Sequence, residues 1–327
     1  MNSLKAPGPV VYPDGSPTMG RLLNRDQTRA LGEFVFYDDE PASREELIRR
    51  IEPACAVILG WARIDGEVLA RCPHLRIISF TGVGVEAYVD LHAATARGVA
   101  VANTPGYGDD TVAEHTMALI LAAARRLPVL HAGMTGGSWL PRPGIELRGR
   151  QLGIVGLGPI GSRVARPGRA FGMEVVAWTR RPSPLRAQEH GVRFMELAQL
   201  FETSDVVSLH LALTPQTRGI VGRDLLRRMK PGAIFVNTAR GGLVDAEALL
   251  EILQEGRVWA ALDVFDEEPL QPGHPLRRLE NVVLTPHVGF YTEDATRRML
   301  EIAVENVRAF FAGTPQNVVN PQVLRRP

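Results

Sequence analysis

The chain has 327 residues, 45% hydrophobic and 22% charged, the balance of a globular protein of about two domains. Lysine plus arginine number 37 and aspartate plus glutamate 36, a net charge of +1, so the basic excess that non-specific nucleic-acid binding rests on is absent. Two cysteines, Cys55 and Cys72, exclude a disulfide framework, and with no CxxC or Cys/His cluster no metal is expected.

Short β-rich runs alternate with amphipathic stretches along the chain, the rhythm of an α/β protein with parallel sheets. The first predicted strands are Val10–Tyr12, Phe34–Tyr37, Ala56–Gly60, Arg76–Phe80 and Val99–Ala102. Helices lie between them, such as Ser43–Ile51, where Glu45 and Glu46 precede Arg49 and Arg50 at helical spacing. A long helix is expected over Asp110–Arg126, capped by Asp109 or Asp110 and stopped by Pro128. The apolar run within it, Met117–Ala124, is the longest in the chain and far short of a membrane span. The N-terminus carries no apolar core of the signal-peptide kind, so a cytoplasmic protein without a membrane partner is expected. A Gly/Pro-rich surface connection follows from Gly133 to Gly149, anchored by Trp139. A second α/β series has strands Gln151–Val155, Glu174–Trp178, Val206–Leu209, Ala233–Asn237, Ala260–Val264 and Val282–Leu284, then a long amphipathic helix, Glu293–Ala312.

The first strand of that series runs into Gly156, Gly158 and Gly161, a GxGxxG pattern. After a strand and before a helix, the first glycine permits the tight turn, the second lets backbone approach a pyrophosphate, and the third lets helix pack on strand. Pro159 and Ile160 fall within the same turn. Pro167 sits in the following helix and predicts a bend or early end near Val164–Arg166. The second strand ends in Thr179, Arg180 and Arg181, where an NAD site usually carries an acid for the ribose hydroxyls. A hydroxyl and two guanidiniums suit a 2′-phosphate, so NADP is favoured over NAD, the alternative being two solvated arginines beside a permissive NAD site.

Three later strands end in chemistry-bearing residues: Arg240, Asp263 with Glu268, and His287. Ligands of open α/β sheets bind at the carboxyl ends of strands, so these converge on one edge. Reducing a 2-keto acid needs a proton for the oxygen, which histidine supplies near neutral pH, while an adjacent carboxylate such as Glu268 favours the imidazolium. Arg240 is suited to grip a substrate carboxylate. His210 also ends a strand and is expected to line the site without doing chemistry. His74, His92, His115, His131, His190 and His274 are expected mostly at the surface or in packing.

The segments TGVGVEAYVD (81–90), ARGVAVANTPG (96–106), TVAEHTMALIL (111–121), LRGRQLGIVGLGPIG (147–161), DVVSLHLALTPQTRGIV (205–221), MKPGAIFVNTARGGLVDAEAL (229–249), AALDVFDEEPL (260–270) and NVVLTPHVG (281–289) together resemble the D-isomer-specific 2-hydroxyacid dehydrogenases. The resemblance runs from about Ala56 to Pro321. It implies a Rossmann-type doubly wound parallel sheet, residues 103–287, inserted into a smaller flavodoxin-like α/β substrate domain formed by 1–102 and 288–327. It implies hydride transfer between nicotinamide and a small 2-keto or 2-hydroxy acid, with Arg240, Glu268 and His287 catalytic. Asp263 falls beside the nicotinamide amide, and Thr217, Thr238 and Ala239 join the cofactor contacts together with Arg240 and His287. Val83 and Gly84 fall on the loop that receives the substrate carboxylate, with Arg240 and His287. A homodimer is implied. Alternatives are a dinucleotide-sensing, corepressor-like binding protein or a member acting on another substrate such as phosphite. Departures from the commoner pattern are Glu86, Ala212, Thr179-Arg180, and Phe290-Tyr291 after the glycine that follows His287. The last pair is expected either to reshape the pocket or to pack at a hinge.

Overall fold

The computed structural model describes residues 5–325. The first four residues and the last two, assigned above to the substrate domain, lie outside the described residues. The chain separates into two compact units, one of residues up to Gly108 together with those from Tyr291 onward, the other Asp109–Phe290.

The first unit is built on a five-stranded parallel sheet: β1 (Val10–Tyr12), β2 (Phe34–Phe36), β3 (Ala56–Leu59), β4 (Ile77–Phe80) and β5 (Ala100–Ala102), in the order β2-β1-β3-β4-β5. The inner strands β1 and β3 are short unbroken apolar runs, buried throughout, because helices cover both faces. One face is covered by the late helix Glu293–Phe311, whose Met299, Leu300, Ala303, Val304 and Val307 recur at helical spacing against Val10, Tyr12, Ile58 and Ile77. Thr292 caps that helix through the Ala295 amide, 3.2 Å away.

Buried amides then fasten the late segment. Asn306 Nδ2 donates to Ser79 Oγ at 3.2 Å and to the Asn103 carbonyl at 2.9 Å. Asn320 Oδ1 accepts from the Val101 amide at 2.8 Å, and its Nδ2 donates to the Val99 carbonyl at 3.0 Å and Thr95 Oγ1 at 3.1 Å.

The second unit holds seven parallel strands: β6 (Gln151–Val155), β7 (Glu174–Trp178), β8 (Arg193–Phe194), β9 (Val206–Leu209), β10 (Ile234–Asn237), β11 (Trp259–Leu262) and β12 (Val282–Leu284). Their order is β12-β11-β10-β9-β6-β7-β8, so strand order reverses between β6 and β9, as in a Rossmann sheet. Apolar clusters fill both faces, one through Phe201, Phe235 and Ile252 and the other through Ile120, Ile154 and Val164. Both units are therefore α/β with parallel sheets, the smaller in the flavodoxin-like order.

Four local expectations are corrected. Of the bend or early end expected near Val164–Arg166, the early end does not occur, since the helix after the glycine turn runs Pro159–Ala170 through Pro167. Gly161, Val164, Ala165 and Gly168 bury one face of it, and this packing outweighs the lost hydrogen bond. The helix Asp109–Ala124 ends before Arg126, which adopts φ 55°, and Pro128 opens a further helix, Leu127–Thr135, instead of stopping one. β8 was not expected, since two residues beginning with an exposed arginine make no apolar run. Asp263 lies just beyond β11, not inside it.

Among the described residues no single helix is long and apolar enough to cross a membrane. The bent pair Asp109–Ala124 and Leu127–Thr135 passes on length and composition together, yet the first member buries Met117, Leu119 and Ile120 in the core. Asn320→Ala should destabilise the first unit by about 1–3 kcal/mol, because it strands a buried amide and two acceptors. A lower thermal midpoint than wild type, read by circular dichroism, checks this.

Candidate active site

Register places the carboxyl ends of the second sheet in a row. Trp178 pairs with Val155, Val155 with Leu209, Leu209 with Asn237, Asn237 with Leu262 and Leu262 with Leu284. The residues that follow these ends therefore share one edge, about 4.8 Å apart from strand to strand.

The glycine turn at the end of β6 fits a dinucleotide pyrophosphate. Gly156 has φ 103°, and a Cβ there would stand 2.6 Å from the His210 carbonyl oxygen. A Cβ on Gly161 would stand 2.1 Å from the Gly156 oxygen, so the helix can approach the turn only with hydrogen at that position. Around Gly158, by contrast, a Cβ would meet nothing within 4 Å, leaving open space above the backbone. Gly158 begins the helix with no side chain capping its first amides, and with the helix dipole the amides of Ile160 and Gly161 are suited to an anion. Pro159, at the first helical position, has no N–H to leave unpaired.

Beyond β7 a cleft of about 530 Å³ is lined by Thr179, Arg180, Arg181 and Arg186. No carboxylate is among its lining residues, so the cleft is electropositive. Arg186 was not singled out from the sequence. It sits on the helix Pro184–His190 and donates from Nη2 to the Leu157 carbonyl, inside the glycine turn.

The far end of the row carries an imidazole–carboxylate pair. His287 Nδ1 lies 2.6 Å from Glu268 Oε2, and Glu268 Oε1 accepts from the Phe265 amide at 2.9 Å. Both side chains remain about a third exposed, 38% and 35%. Burial would raise the Glu268 carboxyl, but hydrogen bonds from His287 and the Phe265 amide, with the charges of His287 and Arg240, hold it below the usual range. The Glu268–Pro269 peptide is cis. Gly241 follows Arg240, and a Cβ there would stand 2.0 Å from the Phe265 carbonyl carbon, so the β10 and β11 loops meet closely.

Asp263 holds this end together. Its carboxylate is 1% exposed and accepts from Thr285 Oγ1 at 2.5 Å and from the amides of Val288 and Gly289, each at 2.9 Å. Its backbone carbonyl accepts from the His287 amide at 2.8 Å. His287 has φ 54°, a left-handed conformation rare outside glycine, and these bonds hold the turn in it. His115 Nε2 completes the set, 3.4 Å from Asp263 Oδ1 and 3.1 Å from Thr285 Oγ1. The sequence marked His115 only as a packing or surface histidine, and no local signal ties it to a residue so far along the chain. Burial would raise the Asp263 carboxyl, yet these hydrogen bonds hold it down to about 2.

The remaining expected residues are placed as follows. Arg240 is exposed, with Nη1 on the Ala239 carbonyl at 2.7 Å. Ala239 donates its amide to Asn237 Oδ1 at 3.0 Å, and Thr238 Oγ1 pairs with Thr116 Oγ1 at 2.9 Å. His210 meets Ser208 Oγ at 2.9 Å, and burial pushes its imidazole down to about 3, so it is neutral at physiological pH. The Thr217 hydroxyl is engaged within its own loop, donating to the Ala212 carbonyl at 2.6 Å. Phe290 stands edge-on to the His287 ring, centroids 6.1 Å apart, and Tyr291 is 50% exposed. Val83 and Gly84 belong to the first unit, in the loop after β4, where the Val83 carbonyl accepts from Asn103 Nδ2 at 2.9 Å.

A Rossmann sheet with an open glycine turn and an imidazole–carboxylate pair on the same edge defines a dinucleotide-dependent oxidoreductase. The family model described as "D-isomer specific 2-hydroxyacid dehydrogenase, NAD binding domain" matches residues 117–289. The chain is 42% identical to the glyoxylate reductase of Aeropyrum pernix over 89% of its own length and 92% of that protein. It superposes on the TT0316 protein of Thermus thermophilus with a TM-score of 0.84 at 42% identity, covering 95% of this chain and 99% of that one. An acyclic imino acid reductase solved with NADPH and D-arginine gives a TM-score of 0.81 at 28% identity, with 95% and 99% covered. The chain belongs to the D-isomer-specific 2-hydroxyacid dehydrogenase family. It is an NAD(P)-dependent oxidoreductase that interconverts 2-keto and 2-hydroxy acids, and the sensor and phosphite alternatives are not favoured.

Because the Asp263 carboxyl is held below its ordinary value, its stabilisation is fully present above that value and is lost as pH falls toward about 2. Asp263→Asn should therefore cost on the order of 2 kcal/mol near neutral pH, with the gap to wild type closing only below about pH 4. Urea unfolding of both proteins at a series of pH values measures that gap.

Proposed function

We propose that the protein reduces a small 2-keto acid, glyoxylate or hydroxypyruvate in class, with NADPH as the favoured donor, and acts in the cytoplasm as a homodimer. The observation that carries the chemistry is the 2.6 Å contact between His287 Nδ1 and Glu268. With Nδ1 engaged by the carboxylate, Nε2 is the nitrogen left to deliver a proton to the substrate oxygen. Glu268 orients the ring. Arg240 pairs with the substrate carboxylate and polarises the adjacent carbonyl. Gly156, Gly158, Pro159, Ile160 and Gly161 would hold the dinucleotide, which when bound would supply the hydride for the carbonyl carbon. Asp263, Thr217, Thr238, Ala239 and His210 line its further course.

Several features support the finer points. Thr179, Arg180 and Arg181 follow β7 with no acid among them, which suits a 2′-phosphate and leaves nothing to repel it. The Aeropyrum pernix relative described above is a glyoxylate reductase, which favours a short acid. Around the helix Leu127–Thr135, Leu127, Met134, Trp139 and Leu140 are exposed apolar side chains, Trp139 to 83%, a surface suited to a second copy of the chain. Cys55 and Cys72 are free and buried, in keeping with a reducing compartment. The near-zero net charge favours a small acid over nucleic acid as partner.

Oxidation of NADPH and NADH against glyoxylate, hydroxypyruvate, pyruvate and phenylpyruvate tests the reading. Turnover should be fastest with a short acid and NADPH. Loss of the proton donor in His287→Ala should cut kcat by about 100-fold or more. Cofactor binding without turnover of any 2-keto acid would remove the reductase assignment. For the homodimer, wild type should elute at twice the chain mass in light-scattering chromatography, and Trp139→Glu with Leu140→Glu should shift it to the monomer. A wild-type monomer would remove that part.

A further inference from the structure

The cleft beyond β7 holds one residue that the chemistry above leaves without a role. Arg186 is half-buried, whereas Arg180 and Arg181 are exposed. All three line the same cleft with Thr179, and among the described residues none of the three is paired with a carboxylate. Three like charges facing one cleft repel one another, which an anion of high charge density relieves.

Arg186 also reaches the neighbouring strand end. Its Nη2 donates to the carbonyl of Leu157, which lies between Gly156 and Gly158 in the turn after β6. β6 and β7 are adjacent in the sheet, with Val155 opposite Trp178. The helix that carries Arg186 is thereby tied to the glycine turn. One nitrogen makes that bond, and the guanidinium has further N–H donors in the same plane.

We propose that Arg186 is the third arm of a site for a phosphate monoester, the 2′-phosphate of the dinucleotide, and that it couples this site to the pyrophosphate turn. The inference rests on the NADPH reading and adds a residue to it. A phosphate monoester carries close to two charges and three acceptor oxygens, enough to engage Arg180, Arg181 and Arg186 together with the Thr179 hydroxyl. Arg186 contributes more per charge than its exposed neighbours because solvent screens it less. Its bond to Leu157 holds the guanidinium in place before the ligand arrives, so less side-chain freedom is lost on binding.

Calorimetric titration of NADPH and NADH into wild type, Arg186→Ala and Arg186→Lys tests this without turnover. Circular dichroism confirms that each variant is folded. Wild type should bind NADPH more tightly than NADH. Arg186→Ala should weaken NADPH by about ten- to a hundredfold, the worth of a charged hydrogen bond, and NADH by less than about threefold. Arg186→Lys keeps the charge and loses the fork, so its NADPH affinity should fall between the two. An equal loss for both cofactors would make Arg186 a brace of the glycine turn alone and overturn the proposal. An unchanged NADPH affinity in Arg186→Ala would overturn it too, leaving the NADPH reading intact. Equal affinities in wild type would instead overturn the NADPH reading itself, and this inference with it.

Discussion

The end of the second sheet that carries His287 and Glu268 depends on one buried carboxylate. Asp263 carries a negative charge at a position 1% exposed, where an unpaired ion would be untenable. It is compensated by Thr285, His115 and the amides of Val288 and Gly289, and its own backbone carbonyl takes the His287 amide. The bonds that satisfy the charge are the same bonds that shape the turn. A charge that must be neutralised there leaves the chain few ways to run from Thr285 to Gly289, and the one it takes sets the base of the His287 side chain. The imidazole is then oriented from its other side by Glu268.

Around that constraint the sheet acts as a ruler. Six strands end in register, so residues remote in sequence become neighbours without side-chain contacts having to find one another. The order of chemistry along the edge follows strand order. Imidazole and carboxylates stand at β11 and β12, the glycine turn at the reversal of strand order, and the arginines beyond β7. Close backbone approach at Gly156, Gly161 and Gly241 keeps the row compact.

Much of this was legible in the sequence because its causes are local. A GxGxxG between strand and helix has few other uses, and short apolar runs at even intervals announce parallel strands. Arg240, Glu268 and His287 stood out through the family resemblance and through their places after strands. What escaped were interactions set by the third dimension. His115 and Thr285 lie 170 positions apart, and Arg186 meets Leu157 across 29. Asp263 was noticed for its expected place beside the cofactor, not as the anchor of the His287 turn. The prolines misled for a related reason. Local rules have Pro128 ending a helix and Pro167 bending or ending one, whereas position in the first turn licenses the one and packing of Gly161, Val164, Ala165 and Gly168 carries the helix on through the other.

The way the chain is threaded has a consequence for its synthesis. The second unit is one uninterrupted stretch, Asp109–Phe290, and holds all seven of its strands within itself. The first unit has its five strands by Ala102, but the helix that covers one face of them, and the Asn306 and Asn320 amides that fasten its edge, come after residue 290. On a ribosome, where chains emerge from the N-terminus, the later-encoded unit is therefore complete first. The earlier one waits with the apolar face of Val10, Tyr12, Ile58 and Ile77 uncovered until Met299, Leu300 and Val307 arrive. That interval, while about two hundred residues are made, is when the nascent protein has most need of a chaperone.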